Sequence, residues 1–195
     1  MEYITSSDFH FKDTAVALGK FEGIHRGHQL LMDEVKKQEL HGLRSVVFTF
    51  DRPTRLTLTG DTEYKQIYTK KERREILEKR GIDILIEHPF TKEFAALTPD
   101  RFIREVLVEK VGAKVIVVGT DFHFGKNRSG SITDLEKLEE ECGYHLIVVE
   151  KLQLNGKDIS STRIRASLEK GAMEEAKALL GRNYSVSGEI LHGNA

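Results

Sequence analysis

Residues 14–28 read TAVALGKFEGIHRGH, an apolar run that ends at Gly19 and passes into a glycine-framed segment with two histidines. The run Thr14–Gly19 is typical of a parallel strand that is covered on both faces. Gly23 and Gly27 let the backbone approach a ligand closely, and the helix that begins here directs free N–H groups at the space above the sheet. This strand and helix predict an α/β fold whose ligand site lies at the carboxyl ends of its strands.

The same alternation continues along the chain. Apolar runs of strand length are separated by longer segments of helical periodicity, the pattern that builds a parallel sheet with crossover helices. The predicted fold class is therefore α/β, a doubly wound, Rossmann-like, five-stranded parallel sheet with helices on both faces. The other predicted strands are Ser45–Phe50, Ile82–Glu87, Lys114–Gly119 and Tyr144–Leu152, and the predicted helices are Gly27–Leu40, Lys70–Arg80, Pro99–Val111, Asp134–Cys142, one from Ile159–Thr162 towards Gly171, and Met173–Leu180.

Composition limits the function classes. A chain of 195 residues with 39% hydrophobic residues can form one domain with a full core. Its 30 basic and 31 acidic residues give a formal net charge of −1, which argues against a nucleic-acid partner and requires any phosphate to be bound locally. The mixed charges of Lys70–Arg80 favour a solvated helix face. The oligomeric state stays open.

Cysteine usage and apolar runs bear on the compartment. Cys142 is the single cysteine, so no internal disulfide forms, and no Cys/His set has zinc-site spacing. We therefore predict no protein metal site. No apolar run approaches membrane-spanning length, and Met1–Lys12 lacks a signal-peptide core. We expect a cytoplasmic protein without a membrane partner.

The two histidines after the first strand are the first candidate for chemistry. His25 and His28 are three residues apart, so both imidazoles can reach one point at the start of the helix. They suit a charge that grows on a phosphate oxygen during group transfer. The alternatives are two ordinary surface side chains or a metal-chelating pair, and the absence of an evident third ligand nearby weakens the metal interpretation.

A second candidate opens the helix after Ile159. Ser160, Ser161 and Thr162 are natural N-cap residues, so capping alone is one interpretation. Arg165, one turn into the helix, is disfavoured by the helix dipole unless an anion pairs with it. Hydroxyls, backbone amides and a forked cation at one helix start favour a binding site for a triphosphate.

A third candidate is the loop Gly119–Gly130, which follows the fourth predicted strand. Phe122 and Phe124 lie between glycines in a polar loop, and a flat aromatic ligand would use them. We expect at least one of the two to fold back as an anchor for the loop. Phe50, followed by Asp51-Arg52-Pro53-Thr54, adds an aromatic side chain and a rigid turn after the second strand.

Together these segments resemble the adenylyltransferase module of the bacterial bifunctional riboflavin kinase/FAD synthetase family, from about Ala15 to the C-terminus. The stretches that carry the resemblance are Gly19–His28, Asp121–Gly125 and Ile159–Arg165. A His-x-Gly-His sequence alone indicates only the wider nucleotidyltransferase superfamily, whereas the three stretches in order are more selective. Two departures stand out. Glu22 replaces the usual aspartate, and Phe50-Asp51-Arg52-Pro53-Thr54 stands where the family has a Phe-[acid]-Pro-x-Pro stretch, commonly with a histidine before the second proline.

The resemblance implies an FMN adenylyltransferase, which moves AMP from ATP, accompanied by Mg²⁺, onto FMN and releases FAD and pyrophosphate. The FMN phosphate would attack the α-phosphorus of ATP in line, without a covalent enzyme intermediate. By the same resemblance, residues 1–183 form this domain, and residues 184–195 are a tail or the start of a riboflavin kinase domain. The implied roles are catalysis for His25, His28 and Arg165; ATP binding for Gly19, Phe21, Gly23, Gly27, Ser161, Thr162 and Arg165; and flavin binding for Phe50, Asp121, Phe122, Phe124, Gly125 and Arg128.

Two further hypotheses remain open. One keeps the transfer reaction but changes the acceptor to pantetheine phosphate, nicotinamide mononucleotide, or a choline- or glycerol-type phosphate. The other is a flavin-nucleotide binding module without catalysis, which would bind FMN or FAD and release no pyrophosphate.

Overall fold

The fold centres on a parallel sheet of six strands in the order β1-β4-β3-β2-β5-β6. A computed structural model describes residues 1–52 and 65–188. The strands are β1 Glu2–Ile4, β2 Thr14–Leu18, β3 Arg44–Phe50, β4 Ile84–His88, β5 Ala113–Gly119 and β6 His145–Val149.

The prediction of five strands was one short. The missing strand is β1, which pairs with β4 at the sheet edge and places Tyr3 opposite Leu85. It has three residues, two of them half-buried, so it lacks the buried apolar run that identified the other strands. Its pairing depends on its distant partner rather than on its own sequence.

The strand order creates a ligand crevice at one place. From β2 the chain builds outwards through β3 to β4, and it then returns to lay β5 against the other side of β2. β2 and β5 are neighbours in the sheet, and the connections that follow them therefore run in opposite directions, one towards β3 and the other towards β6. In open parallel sheets the ligand binds at such a switch point, beyond the carboxyl ends of the strands.

Helices cover both faces of the sheet. Successive residues of β2 point to opposite sides: Ala15 and Ala17 pack with Met32, whereas Val16 and Leu18 pack with Ile103. This confirms the doubly wound arrangement. The helices are α1 Arg26–Lys37, α2 Lys70–Lys79, α3 Lys92–Ala95, α4 Pro99–Arg101, α5 Ile132–Cys142, α6 Ser161–Glu169 and α7 Met173–Leu180, with 3₁₀ turns at Gln38–His41 and Lys126–Arg128 and a π-helical segment at Phe102–Lys110.

The other predicted elements form with shifted ends. The strand predicted to end at Leu152 stops at Val149, because the chain then turns into the hairpin of β7 Gln153–Leu154 and β8 Lys157–Asp158. Asn155 and Gly156 both have positive φ, as the tight turn of such a hairpin requires. Residues 184–188 are in neither a helix nor a strand. Over residues 1–52 and 65–188, no helix combines the length and apolarity that a membrane crossing requires.

Candidate active site

A cleft of about 1050 Å³ opens at the carboxyl ends of the central strands. The connections that follow β2, β3, β4, β5 and β6 all contribute to its walls. These are the positions that the strand order marks for a ligand. The predicted site residues that line it are Gly19, His25, Gly27, His28, Phe50, Asp121, Phe122, Phe124, Gly125, Arg128, Ser161, Thr162 and Arg165.

The loop between β2 and α1 holds the two histidines in a fixed arrangement. His25 is the N-cap of α1, and its Nδ1 accepts a hydrogen bond from the backbone N–H of His28 at 3.3 Å. The two rings stack with centroids 3.7 Å apart, and the ring of Phe21 meets His28 edge-on at 5.0 Å. Both imidazoles therefore lie together at the N-terminus of α1, as the spacing predicted.

The same loop contains backbone strain. Phe21 and Ile24 are fully buried and have φ of 46° and 42°, in the left-handed region that side-chain-bearing residues rarely adopt. Each such residue costs on the order of 1–3 kcal/mol and persists only where the surroundings impose it. Strain of this kind is concentrated at functional sites, which agrees with a ligand-binding role for the loop.

Both histidines are neutral near pH 7. Burial, followed by the nearby charge of Arg182, lowers the pKa of His25 to about 4. Burial, followed by His25, lowers the pKa of His28 well below its ordinary range. Because Nδ1 of His25 accepts a hydrogen bond, its proton lies on Nε2. The pair can donate N–H groups to a phosphate oxygen, whereas positive charge must come from other residues.

Helix α6 supplies the facing wall. Ser160 caps it by accepting from the backbone N–H of Arg163 at 3.2 Å, so the hydroxyls of Ser161 and Thr162 are not required for that cap. Arg165 donates from Nη2 to Oε2 of Glu22 at 2.7 Å, and the two side chains are 21% and 11% exposed. The anion that the position of Arg165 required is therefore a protein carboxylate, and the pair ties α6 to the histidine loop.

An aromatic wall forms the apolar part of the cleft. Phe124 is 7% exposed and packs against Phe102 at 5.4 Å, so it is the loop anchor that we expected. Phe122 stacks on Phe124 at 5.5 Å and remains partly exposed to the cleft. On the other side, Phe50 contacts Phe90 at 4.8 Å. A flat ring has apolar surface to meet on these side chains.

Helix α2 has a largely exposed charged face, as its mixed charges predicted, but Arg73 departs from this pattern. Lys70 and Arg73 line the cleft, and Arg73 forms an ion pair with the fully buried Glu87. The other carboxylate oxygen of Glu87 accepts from the hydroxyl of Tyr3 at 2.6 Å. Burial and this hydrogen bond raise the pKa of Tyr3 to about 12. The inward pairing of Arg73 was not predicted, because charge spacing along one helix does not reveal a carboxylate on a neighbouring strand.

Residues 8–163 match the family model described as FAD synthetase. The chain belongs to the FAD synthetase family. Relatives named bifunctional riboflavin kinase/FMN adenylyltransferase are similar along most of the chain. Those of Listeria monocytogenes and Escherichia coli K12 are each 32% identical, over 98% and 92% of this chain. That of Buchnera aphidicola from Schizaphis graminum is 32% identical over 93%. The chain spans 61%, 58% and 59% of these three relatives, respectively.

Solved structures agree on the fold. A crystal structure described as a macrolide-efflux protein from Streptococcus pneumoniae has a TM-score of 0.81 at 30% identity, covering 98% of this chain and 66% of that one. A pantothenate synthetase from Thermus thermophilus has a TM-score of 0.54 at 16% identity, covering 90% and 79%. The second likeness concerns the fold alone and agrees with an α/β architecture for this FAD synthetase family member.

Two residues expected to bind ATP do not line the cleft of this FAD synthetase family member. Phe21 is buried beneath the loop, where its ring limits the space at Gly19: a Cβ there would lie 3.1 Å from it. At Gly23 a Cβ would lie 3.2 Å from Ile67, so this glycine is needed for packing. Both shape the loop from behind. Pro53 and Thr54 lie outside the described residues.

Several cleft residues were missed from the sequence. Phe90 and Phe94 follow β4, and the rule that ligands bind beyond strand ends applies to this strand as well. Lys151 follows β6 and forms an ion pair with Asp121 at 3.1 Å. Within residues 1–52 and 65–188, no group of three His, Cys, Asp or Glu side chains is arranged to hold a metal ion. The missed lining residues include Lys20, Gln66, Tyr68, Lys70, Arg73, Phe90, Phe94 and Lys151.

Proposed function

We propose that this chain transfers AMP from ATP to FMN and releases FAD and pyrophosphate. One observation carries the proposal: the histidine loop, the start of α6 and the aromatic wall border a single cleft. Two helix N-termini and Arg165 suit phosphates, and the phenylalanines suit a flat ring. The match to the FAD synthetase family and the names of its relatives support the same reaction.

The proposed chemistry needs alignment and electrostatic stabilisation rather than a protein nucleophile. The FMN phosphate is itself an anionic nucleophile and would attack the α-phosphorus of ATP in line, forming one P–O bond as the bond to pyrophosphate breaks. His25 and His28 would donate N–H groups to the oxygens on which charge develops, because both imidazoles are neutral. The positive charge would come from Arg165, which must share its guanidinium between Glu22 and the nucleotide.

The donor set fits a Mg²⁺ ion that arrives with ATP. Such an ion takes most of its ligands from phosphate oxygens and water, and one or two carboxylates suffice from the protein. Glu22 lies on the cleft wall three residues before His25 and would share its carboxylate between Arg165 and the ion. When bound, the ion would offset the charge of the leaving pyrophosphate.

The aromatic wall supports a flavin acceptor over the other phosphorylated acceptors. Phe122 and Phe50 offer apolar ring faces, which an isoalloxazine can cover and a thin aliphatic chain cannot. Phe124 is committed to the core, so Phe122 carries most of this argument. Asp121, Gly125 and Arg128 belong to the same loop and would set its edge against the flavin.

The domain assignment is based on the share of its relatives' length that the chain covers. The chain spans about three fifths of the length of the bifunctional relatives. We assign residues 1–183 to the adenylyltransferase domain and residues 184–195 to a tail or the first residues of a kinase domain.

The test is chromatographic. Purified protein is incubated with FMN, ATP and Mg²⁺, and the products are separated to look for FAD and an equal amount of pyrophosphate. Parallel incubations replace FMN with pantetheine phosphate, nicotinamide mononucleotide or phosphocholine. If only one of these compounds gives a product, that compound is the acceptor instead of FMN. FMN binding without pyrophosphate release would favour a binding module.

A further inference from the structure

Arg182 lies two residues beyond the end of α7 and binds the histidine loop from behind. Its Nη2 donates to the carbonyl oxygen of Gly23 at 2.8 Å, and its Nη1 donates to that of Ile24 at 2.8 Å. The carbonyl of Leu180, at the end of α7, accepts from the same Nη1 at 3.3 Å. One planar fork therefore bridges two consecutive carbonyls immediately before His25.

A second side chain reinforces the same point. The amide of Gln29, on α1, donates to the carbonyl oxygens of Ile24 at 2.9 Å and Leu180 at 2.8 Å. The carbonyl of Ile24 thus accepts from two side chains on different elements. Ile24 has the left-handed backbone that a β-branched residue avoids. Hydrogen bonds that fix both neighbouring carbonyls select this conformation over the relaxed one.

Arg182 also has a fixed position of its own. Its guanidinium lies over the ring of Tyr68, 5.1 Å from the centroid, and Tyr68 lines the cleft. Arg182 itself is not among the cleft-lining residues, so it touches the loop rather than the ligand. A lysine could not reproduce this arrangement, because a single ammonium lacks the planar fork.

We propose that Arg182 is a positioning residue, which fixes the Gly23–Ile24 backbone so that His25 and the N-terminus of α1 face the transferring phosphate. The proposal rests on the proposed function for its catalytic consequence. It makes the segment after α7 part of the active-site framework, although it is distant from His25 in sequence. A purely structural staple would stabilise the fold without affecting the histidine.

The experiment compares Arg182→Ala, Arg182→Lys and a matched control, Arg104→Ala. Arg104 forms ion pairs with Asp100 and Glu141 on the opposite face of the sheet and does not line the cleft. Each variant is assayed for kcat and for KM of ATP and FMN, and its melting temperature is measured. The pKa of His25 is followed separately by NMR titration of the ligand-free protein.

We expect R182A to lower kcat on the order of tenfold to a hundredfold, with smaller changes in both KM values, because the reacting groups lose alignment. The pKa of His25 should rise from about 4 towards its ordinary value, because a neighbouring cation is removed and the loop admits water. The other titratable and charged groups near His25 are retained in every variant. They are His28 on the same helix and Glu22 and Arg165 along the cleft wall. R182K should show most of the kcat loss of R182A and a smaller rise in the pKa of His25. R104A should match the wild type in kcat.

Two results would overturn the proposal. One is wild-type kcat in R182A and R182K. The other is a loss of activity that follows the melting temperature alone while the pKa of His25 stays near 4, which would make Arg182 a structural staple. If the wild type itself makes no FAD, the proposed function fails, but the titration still decides whether Arg182 positions His25.

Discussion

The buried N-cap histidine makes stability depend on pH in a way that can be worked out. His25 is 7% exposed, and its pKa falls from an ordinary value of 6.5 to about 4 in the folded chain. Between these values the unfolded chain binds the proton more readily. The contribution of His25 to stability is therefore complete above pH 6.5 and is lost progressively as the pH falls towards 4.

The magnitude follows from the size of the shift. One unit of pKa shift corresponds to about 1.4 kcal/mol, so the full contribution of His25 to the free energy of unfolding is about 3 kcal/mol. About 2 kcal/mol of it is already lost at pH 5. His25→Asn isolates this effect, because asparagine is a good N-cap that can accept from the N–H of His28 and does not titrate. Other groups that titrate in both proteins largely cancel in the comparison.

The assay is urea unfolding of wild type and H25N at pH 7.5 and at pH 5, at fixed ionic strength. The wild type should lose about 2 kcal/mol more than H25N over this range. An exposed-histidine control, His41→Asn, should follow the wild type. If the difference in free energy of unfolding between the wild type and H25N is the same at pH 7.5 and pH 5, the idea that burial keeps His25 neutral is refuted.

Three further predictions concern the site and its framework. His28→Ala should slow FAD formation about a hundredfold, since one preorganised donor contributes roughly 3 kcal/mol. Steady-state turnover is measured with H41A as the control, and an unaltered rate in H28A would contradict the role of His28. Phe122→Ala should raise KM for FMN with little change in melting temperature, whereas the core substitution Phe124→Ala should cost about 3–5 kcal/mol on urea unfolding; equal effects on both measurements would contradict the division of roles. Gly112→Ala should destabilise the fold strongly, because φ is +66° and the added Cβ would overlap the carbonyl oxygen of Phe11, and unchanged thermal unfolding would contradict this.

Much of the site was predictable because its residues follow strands. His25, Phe122 and Arg165 lie in segments identified from strand ends and residue types, and all three line the cleft. The prediction was least reliable where a residue's environment depended on a distant partner. Arg73 looked solvated from its helix alone, but a carboxylate on β4 draws it inwards.

The sequence by itself determined the alternation of strands and helices, the glycine-framed histidine pair and the order of the ligand-binding segments, because these depend on near neighbours and on local periodicity. Only the tertiary structure decided that Glu22 neutralises Arg165, that Arg182 holds the carbonyls before His25, and that both histidines are uncharged. Burial and the pairing of charges depend on which distant segments pack together, and residue spacing along a chain does not encode that directly.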